Sequence, residues 1–137
     1  MESSLDFIVN LGFKKAGKWV LDDNGKTKPD FVEDREKFLY AFVVDEIVMY
    51  VGATSRALKD RMKEYCGSDP NGANYAMHQS IKSVLEKSKE LLIYTMSSEN
   101  IKQNIEGIID LIDFAAGLEK SIIQKLDPQW NKHGRTK

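Results

Sequence analysis

The sequence predicts an α/β (α+β) domain in which a small three-stranded antiparallel sheet is flanked by helices. Two apolar and aromatic runs, Phe38 to Val44 and Ile47 to Val51, are separated only by Asp45-Glu46, which is the pattern of a β-hairpin. A third run of this kind, LLIYTM at residues 91–96, predicts one more strand. Apolar residues at helical spacing predict helices over about residues 55–66, 75–89 and 115–126, with another that ends near residue 111.

The length and composition are typical of one globular domain, with 137 residues, 42% hydrophobic and 30% charged. A net charge of -1 neither favours nor excludes an acidic polymer as partner, so a nucleic-acid binder would have to concentrate its positive charge locally. Cys66 is the only cysteine, which excludes an intrachain disulfide and favours a reducing compartment. Because the chain shows no signal-peptide pattern and no long apolar run, we expect a cytoplasmic protein that does not enter a membrane.

The first 37 residues are predicted to form an N-terminal extension that packs on the main domain, residues 38–137. Ser3 or Ser4 can cap a short helix, which Gly12 would end. Asn24-Gly25 lies between segments rich in charged residues and predicts a small peripheral hairpin with a type I′ turn. No residue of this extension belongs to a chemical motif.

The register of the main hairpin decides whether Tyr40 and Tyr50 can act together. A regular two-residue loop at Asp45-Glu46 would pair Val44 with Ile47 and place the two tyrosines on opposite faces of the sheet. An odd-length loop, or one bulge, would place them on the same face. A joint site for both hydroxyl groups therefore requires an irregular hairpin.

Gly52 follows the second strand, and an arginine stands on the helix after it. Leu58, Met62 and Tyr65 form the apolar stripe of this helix, and Arg61 lies about 60° from Leu58 at roughly 100° per residue. Arg61 is thus the charge that borders the stripe. Helix geometry alone leaves open whether Arg61 has a chemical role or only covers the edge of the core with its stem.

Glu119 lies near the middle of the apolar face of the last long helix, between Leu118 and Ile122. An ionised carboxylate that is buried without a partner is costly, so a partner is expected. The partner could be a lysine or arginine in a structural ion pair, or a metal ion. Asn131 and Lys132 follow this helix, and no acidic residue follows Asp127, so the basic tail suits either phosphate contact or simple solvation.

Taken together, these residues resemble the GIY-YIG nuclease family over about residues 38–131. Phe38-Leu39-Tyr40 corresponds to the first motif of the family, and Tyr50-Val51-Gly52 corresponds to the second. Arg61 matches the family's arginine on the next helix. Glu119 matches its later glutamate and Asn131 its following asparagine.

The resemblance implies a metal-dependent DNA endonuclease, with the fold of that family. Glu119 would hold one divalent ion, Mg²⁺ or Mn²⁺ as a substitute, and Arg61 would contact the scissile phosphate. Tyr40 or Tyr50 would orient or deprotonate the attacking water, and the resemblance does not decide which. The implied substrate-binding residues are Gly52, Tyr65, Asn131 and Lys132.

The chain departs from the family at Phe38, which replaces a glycine, and at Ala53, where relatives often have lysine or serine. Ala53 motivates an alternative, a nucleic-acid-binding module of the same fold with weak or no cutting. A third possibility is a structural domain in which Glu119 simply pairs with Arg61. The expected partner is double-stranded or branched DNA. The few residues outside the motifs favour weak or structure-directed specificity, or a partner protein that supplies it.

Overall fold

The computed structural model describes residues 3–31, 36–66, 72, 74–97 and 111–132, with the backbone alone for residues 36–38, 55–56, 97, 111–116 and 132. In chain order the elements are α1 Ser4–Leu11, β1 Lys14–Leu21, β2 Thr27–Phe31, β3 Glu36–Val44, β4 Ile47–Ala57, α2 Leu58–Lys63, α3 Tyr75–Glu86, β5 Leu91–Ser97 and α4 Leu111–Leu126. Short 3₁₀ turns follow α2 and α4, at Glu64–Cys66 and Gln129–Lys132. The predicted helix that ends near residue 111 lies largely outside the described residues.

The described strands form one antiparallel sheet in the order β2-β1-β5-β3-β4. The predicted strands are its β5-β3-β4 part, so the expectation of a three-stranded sheet was wrong in number. The N-terminal hairpin is not peripheral, because β1 pairs along the free edge of β5 with Trp19 opposite Leu91. The division of the chain at residue 38 stays a prediction.

The turn between β1 and β2 differs from the predicted type I′ turn. The N–H of Gly25 donates to the carbonyl of Asp22, and Gly25 has a positive φ of 78° whereas Asn24 does not. A type I′ turn requires positive φ at both central residues. The carboxylate of Asp22 instead accepts from the N–H groups of Asn24 and Lys26, which stabilises a longer loop.

The β3–β4 hairpin is irregular, as a joint tyrosine site requires. Asp45 and Glu46 have φ values of 50° and 65°, which is the geometry of a two-residue type I′ turn, and Val44 pairs with Ile47. The register then shifts at Met49, so that Phe42 pairs with Tyr50. This bulge brings Tyr50 onto the face of the sheet that carries Tyr40.

The two faces of the sheet bury separate clusters. The face with Tyr40, Phe42 and Tyr50, called here the tyrosine face, packs against apolar residues of α2 and α3. The opposite face packs against α1 and α4, mainly through Ile8 and Ile122. Strand β4 is the edge strand beside α4. None of the described helices has the length and apolar character to span a membrane.

Candidate active site

Three tyrosines share hydroxyl contacts on the tyrosine face. The hydroxyl groups of Tyr40 and Tyr65 share a hydrogen bond of 2.7 Å, and the hydroxyl of Tyr65 lies 3.4 Å from that of Tyr50. Tyr40 is 0% exposed and Tyr65 1%, whereas Tyr50 is only partly buried. Tyr50 is therefore the least buried of the three tyrosines.

Burial keeps the two inner phenols protonated. Desolvation raises the pKa of Tyr40 above its ordinary value, and the positive charge of Arg61 offsets this only in part. Desolvation likewise raises the pKa of Tyr65, whose backbone carbonyl also accepts a hydrogen bond from the ring of His78 at 3.0 Å. Both phenols are thus neutral hydrogen-bonding groups near pH 7.

Gly52 makes room for the tyrosines. It pairs with Tyr40 across the hairpin, and a Cβ at this position would lie 2.6 Å from the Cζ and the hydroxyl of Tyr40 and 2.9 Å from the Tyr50 ring. These distances are far below van der Waals contact. A side chain at this position would therefore displace the rings of Tyr40 and Tyr50.

Arg61 is held from two directions at the edge of the core. Its guanidinium lies 4.5 Å above the centre of the Tyr65 ring, and its Nη1 donates to the carboxylate of Glu64. The side chain is 21% exposed. Burial alone would lower the pKa of Arg61, but the neighbouring tyrosines and Glu64 raise it overall, so the group stays charged.

Two of the predicted site residues, Asn131 and Glu119, form hydrogen bonds with backbone groups on the free edge of β4. The side-chain amide of Asn131 pairs with the backbone of Val51, accepting from its N–H at 2.9 Å and donating to its carbonyl at 2.8 Å. The N–H of Ala53 donates to the carboxylate of Glu119. Outward-pointing backbone groups alternate along an edge strand, so Asn131 and Glu119 bind on either side of Gly52.

The surroundings of Glu119 shift its pKa in opposite directions. Its half-burial raises its pKa, while the hydrogen bond from Ala53 and the charge of Arg61 act to lower it. Among the residues that the structure describes, Arg61 forms its ion pair with Glu64 and not with Glu119. The possibility of a simple structural pair between Glu119 and Arg61 is therefore not supported.

A divalent ion fits the chemistry of the Glu119 carboxylate. A half-buried acceptor whose pKa is raised by desolvation gains from a nearby cation. The described part of the chain contains no group of three or more His, Cys, Asp or Glu that could enclose a metal. An ion at Glu119 would therefore rely on water and substrate oxygens, as Mg²⁺ commonly does.

The predicted site residues thus come from β3, the middle of β4, the helices α2 and α4, and the 3₁₀ turns that follow these helices. Tyr65 was predicted to contact a phosphate, but its hydroxyl is used inside the protein; a phosphate contact stays a prediction. The side chain of Lys132 lies outside the described set. Sequence reasoning missed Glu64, although its spacing of three residues from Arg61 on a helix is a recognisable signal.

Neither a protein-family model nor a curated protein sequence matches this chain. Among solved structures, a mutant of bacteriophage T4 EndoII is similar over 95% of this chain and 99% of that chain, with a TM-score of 0.73 and 21% sequence identity. The restriction endonuclease HPY188I in complex with product DNA is similar over 98% of this chain and 87% of that chain, with a TM-score of 0.56 and 13% identity.

These similarities show that the chain shares its fold with these two endonucleases, which confirms the predicted resemblance at the level of the fold. At such identities they establish the fold and not the reaction.

Proposed function

We propose that this protein is a metal-dependent endonuclease that hydrolyses phosphodiester bonds of double-stranded or branched DNA. One chain of contacts supports the proposal. The carboxylate of Glu119 accepts from the N–H of Ala53, and the charge of Arg61 acts against the rise that burial causes in its pKa. Arg61 in turn packs on the ring of Tyr65, whose hydroxyl lies 3.4 Å from that of Tyr50. Hydrolysis of a phosphodiester needs stabilisation of phosphoryl charge, a positioned water and help for the leaving oxygen. These groups can supply each of the three.

Arg61 is the residue that binds the scissile phosphate. Its planar fork can give a phosphate charge and orientation together. The Tyr65 ring and Glu64 already restrict the side chain, so less rotamer entropy is lost when the phosphate binds. Because Arg61 stays charged, this contact does not depend on pH in the physiological range.

Glu119 is the residue that holds the divalent ion, with Mg²⁺ the expected ion and Mn²⁺ its substitute. When bound there, the ion neutralises phosphate charge and stabilises the leaving 3′-oxygen. The N–H of Ala53 fixes the carboxylate against the edge of β4, so Glu119 keeps a defined position relative to Gly52. Asn131 holds the same edge two residues earlier.

Tyr50 is the phenol that orients the attacking water. Tyr40 is fully buried and its raised pKa keeps its proton in place, which argues against direct contact with bulk water or action as a phenolate base. Tyr40 and Tyr65 instead fix the Tyr50 ring, which packs 5.9 Å from that of Tyr40 between ring centres. Substrate contacts through Gly52, Lys132 and a partner protein that supplies specificity belong to the same proposal.

A non-cutting nucleic-acid-binding module of the same fold is the second candidate. It is favoured by Ala53, which replaces the lysine or serine often found after the second motif in the family. Such a module would still use the positive charge of Arg61 to bind DNA.

Relaxation of supercoiled plasmid by the purified protein, with Mg²⁺ and with EDTA, distinguishes the two candidates. We expect the wild type to cut only with Mg²⁺, and Glu119→Gln to bind DNA without cutting. Glu86→Gln, an exposed change on α3, is the matched control and should cut like the wild type. If the wild type binds the plasmid and leaves it intact, the second candidate holds. Equal cutting by Glu119→Gln contradicts the role of Glu119.

A further inference from the structure

Lys14, an exposed lysine of the N-terminal hairpin, lies in the same row of the sheet as Tyr40 and Gly52 of the proposed active site. In the register of the sheet, Lys14 is opposite Thr95, Thr95 is opposite Tyr40, and Tyr40 is opposite Gly52. These residues form one row across β1, β5, β3 and β4. Since neighbouring strands are about 4.8 Å apart, the backbone of Lys14 is roughly 10 Å from that of Tyr40.

The side chain of Lys14 belongs to the tyrosine face of this row. Tyr94 and Met96 pack on the opposite face, so Thr95 between them points to the tyrosine face. Directly paired residues of an antiparallel sheet share a face, and Lys14 is paired with Thr95. Phe13, the residue before Lys14, packs on the opposite face, in agreement with this assignment.

Lys14 would supply a positive charge that the second motif, Tyr50-Val51-Gly52, and Ala53 after it do not provide. Ala53 supplies no positive charge beside Gly52, and Arg61 is already paired with Glu64. DNA presents closely spaced phosphates, and a lysine can neutralise one of them as a point charge. We propose that Lys14 binds a phosphate of the DNA substrate next to the scissile phosphate, an inference that rests on the proposed function.

Lys15 provides a matched control. It is exposed like Lys14 and adjacent to it, but it pairs with Tyr94 and so points to the opposite face. Lys14→Gln and Lys15→Gln each remove one positive charge from the same strand. A general electrostatic effect would weaken DNA binding equally in both variants, whereas a specific contact affects Lys14 alone.

The test measures binding of a short fluorescent DNA duplex by anisotropy over a series of salt concentrations, with Glu119→Gln as the non-cutting background. Loss of one phosphate contact should make the slope of log K against log salt shallower by about 0.9. We expect this change, with weaker binding, for Lys14→Gln and not for Lys15→Gln. Thermal melting of each variant shows whether it is folded.

The outcomes separate the two proposals. Equal salt slopes for both lysine variants overturn the Lys14 contact and leave the nuclease proposal intact. Failure of both the wild type and the Glu119→Gln protein to bind any duplex overturns both proposals. The wild type could bind the duplex without cutting it, while Lys14→Gln alone makes the slope of log K against log salt shallower. The phosphate contact then stands and the endonuclease proposal fails.

Discussion

The hydroxyl groups of Tyr40 and Tyr65 lie 2.7 Å apart in the interior, and both side chains are almost completely excluded from solvent. The strand of the first motif and the turn behind Arg61 are thereby joined by a buried polar contact. Each phenol satisfies the other, so removing one hydroxyl leaves the other without this partner. The contact connects the stability of the domain to the geometry of the proposed active site.

Tyr65→Phe should therefore destabilise the protein and disturb the site. We expect the free energy of unfolding to fall by about 1–3 kcal/mol, the usual cost of leaving a buried hydroxyl unsatisfied. Urea titration measures this loss. Tyr94→Phe removes a hydroxyl on the opposite face of the sheet and should change stability much less. Equal losses of unfolding free energy in the two variants would mean that the Tyr40–Tyr65 contact stabilises the protein no more than the Tyr94 hydroxyl does.

Tyr50→Phe should affect cutting more than stability. Its hydroxyl is only distantly bonded to Tyr65, at 3.4 Å, so folding loses little, but the attacking water loses its positioning group. We expect the cleavage rate constant to fall about 10²-fold, typical of removing one catalytic hydrogen-bonding group. Single-turnover cleavage of a duplex measures this effect. A Tyr50→Phe protein that cuts at the wild-type rate would exclude Tyr50 from the reaction.

Gly52→Ala should reduce both stability and activity. The added Cβ would lie 2.6 Å from Tyr40 atoms, and these are rigid and buried. Such overpacking typically costs about 1–3 kcal/mol. Gly117→Ala is the control: it meets no atom within 4 Å on an exposed helix position, and should stabilise by up to about 1 kcal/mol. Denaturant titration of both variants measures their free energies of unfolding. The prediction is wrong if Gly52→Ala has the stability of the wild type.

Glu64→Gln should lower kcat without raising KM. The variant keeps a hydrogen-bond acceptor but loses the charge that orients Arg61, while a less acidic surface favours DNA binding. A partly exposed ion pair such as Arg61–Glu64 contributes up to about 1 kcal/mol, which corresponds to about a fivefold loss of rate. Steady-state cleavage kinetics give both constants. Asp60→Asn removes a negative charge from an exposed position of the same helix, and it should not lower kcat.

Glu119→Gln should be more stable than the wild type in EDTA near pH 7. Burial raises the pKa of Glu119 above its ordinary value of 4.5, so the ionised form is disfavoured in the folded state. The wild type therefore loses stability as pH rises from 4.5 through the raised pKa, whereas the amide variant does not lose this contribution. When unfolding is measured at several pH values, the difference in free energy of unfolding between Glu119→Gln and the wild type should vanish in acid. A wild type more stable at pH 7 would contradict the sign of this shift.

The sequence was most informative about the hairpin. The even numbers of Tyr40 and Tyr50 show that one extra residue is needed to bring them to the same face, and the structure has it at Met49. Parity does not locate the bulge, because an insertion anywhere between the tyrosines has the same effect. Its position depends on how the strand packs.

The placement of the N-terminal hairpin and the burial of the phenols were not predictable from local patterns. A strand such as β1 can pair with any free edge where its apolar side faces the core, and the sequence does not mark β5 as that edge. Tyr65 was predicted on the apolar stripe of its helix, but its bond to Tyr40 depends on how two distant elements pack. The partnership of Glu119 with the N–H of Ala53 likewise arises only in the folded chain.

The most direct test of the central proposal is a crystal structure with Mn²⁺ and a short DNA duplex, in which anomalous scattering locates the metal. We expect one Mn²⁺ in contact with a carboxylate oxygen of Glu119, and a backbone phosphate between that ion and the guanidinium of Arg61. Binding of the metal or the duplex on another surface, with Glu119 and Arg61 away from both, would contradict the assignment of an endonuclease site to the edge of β4.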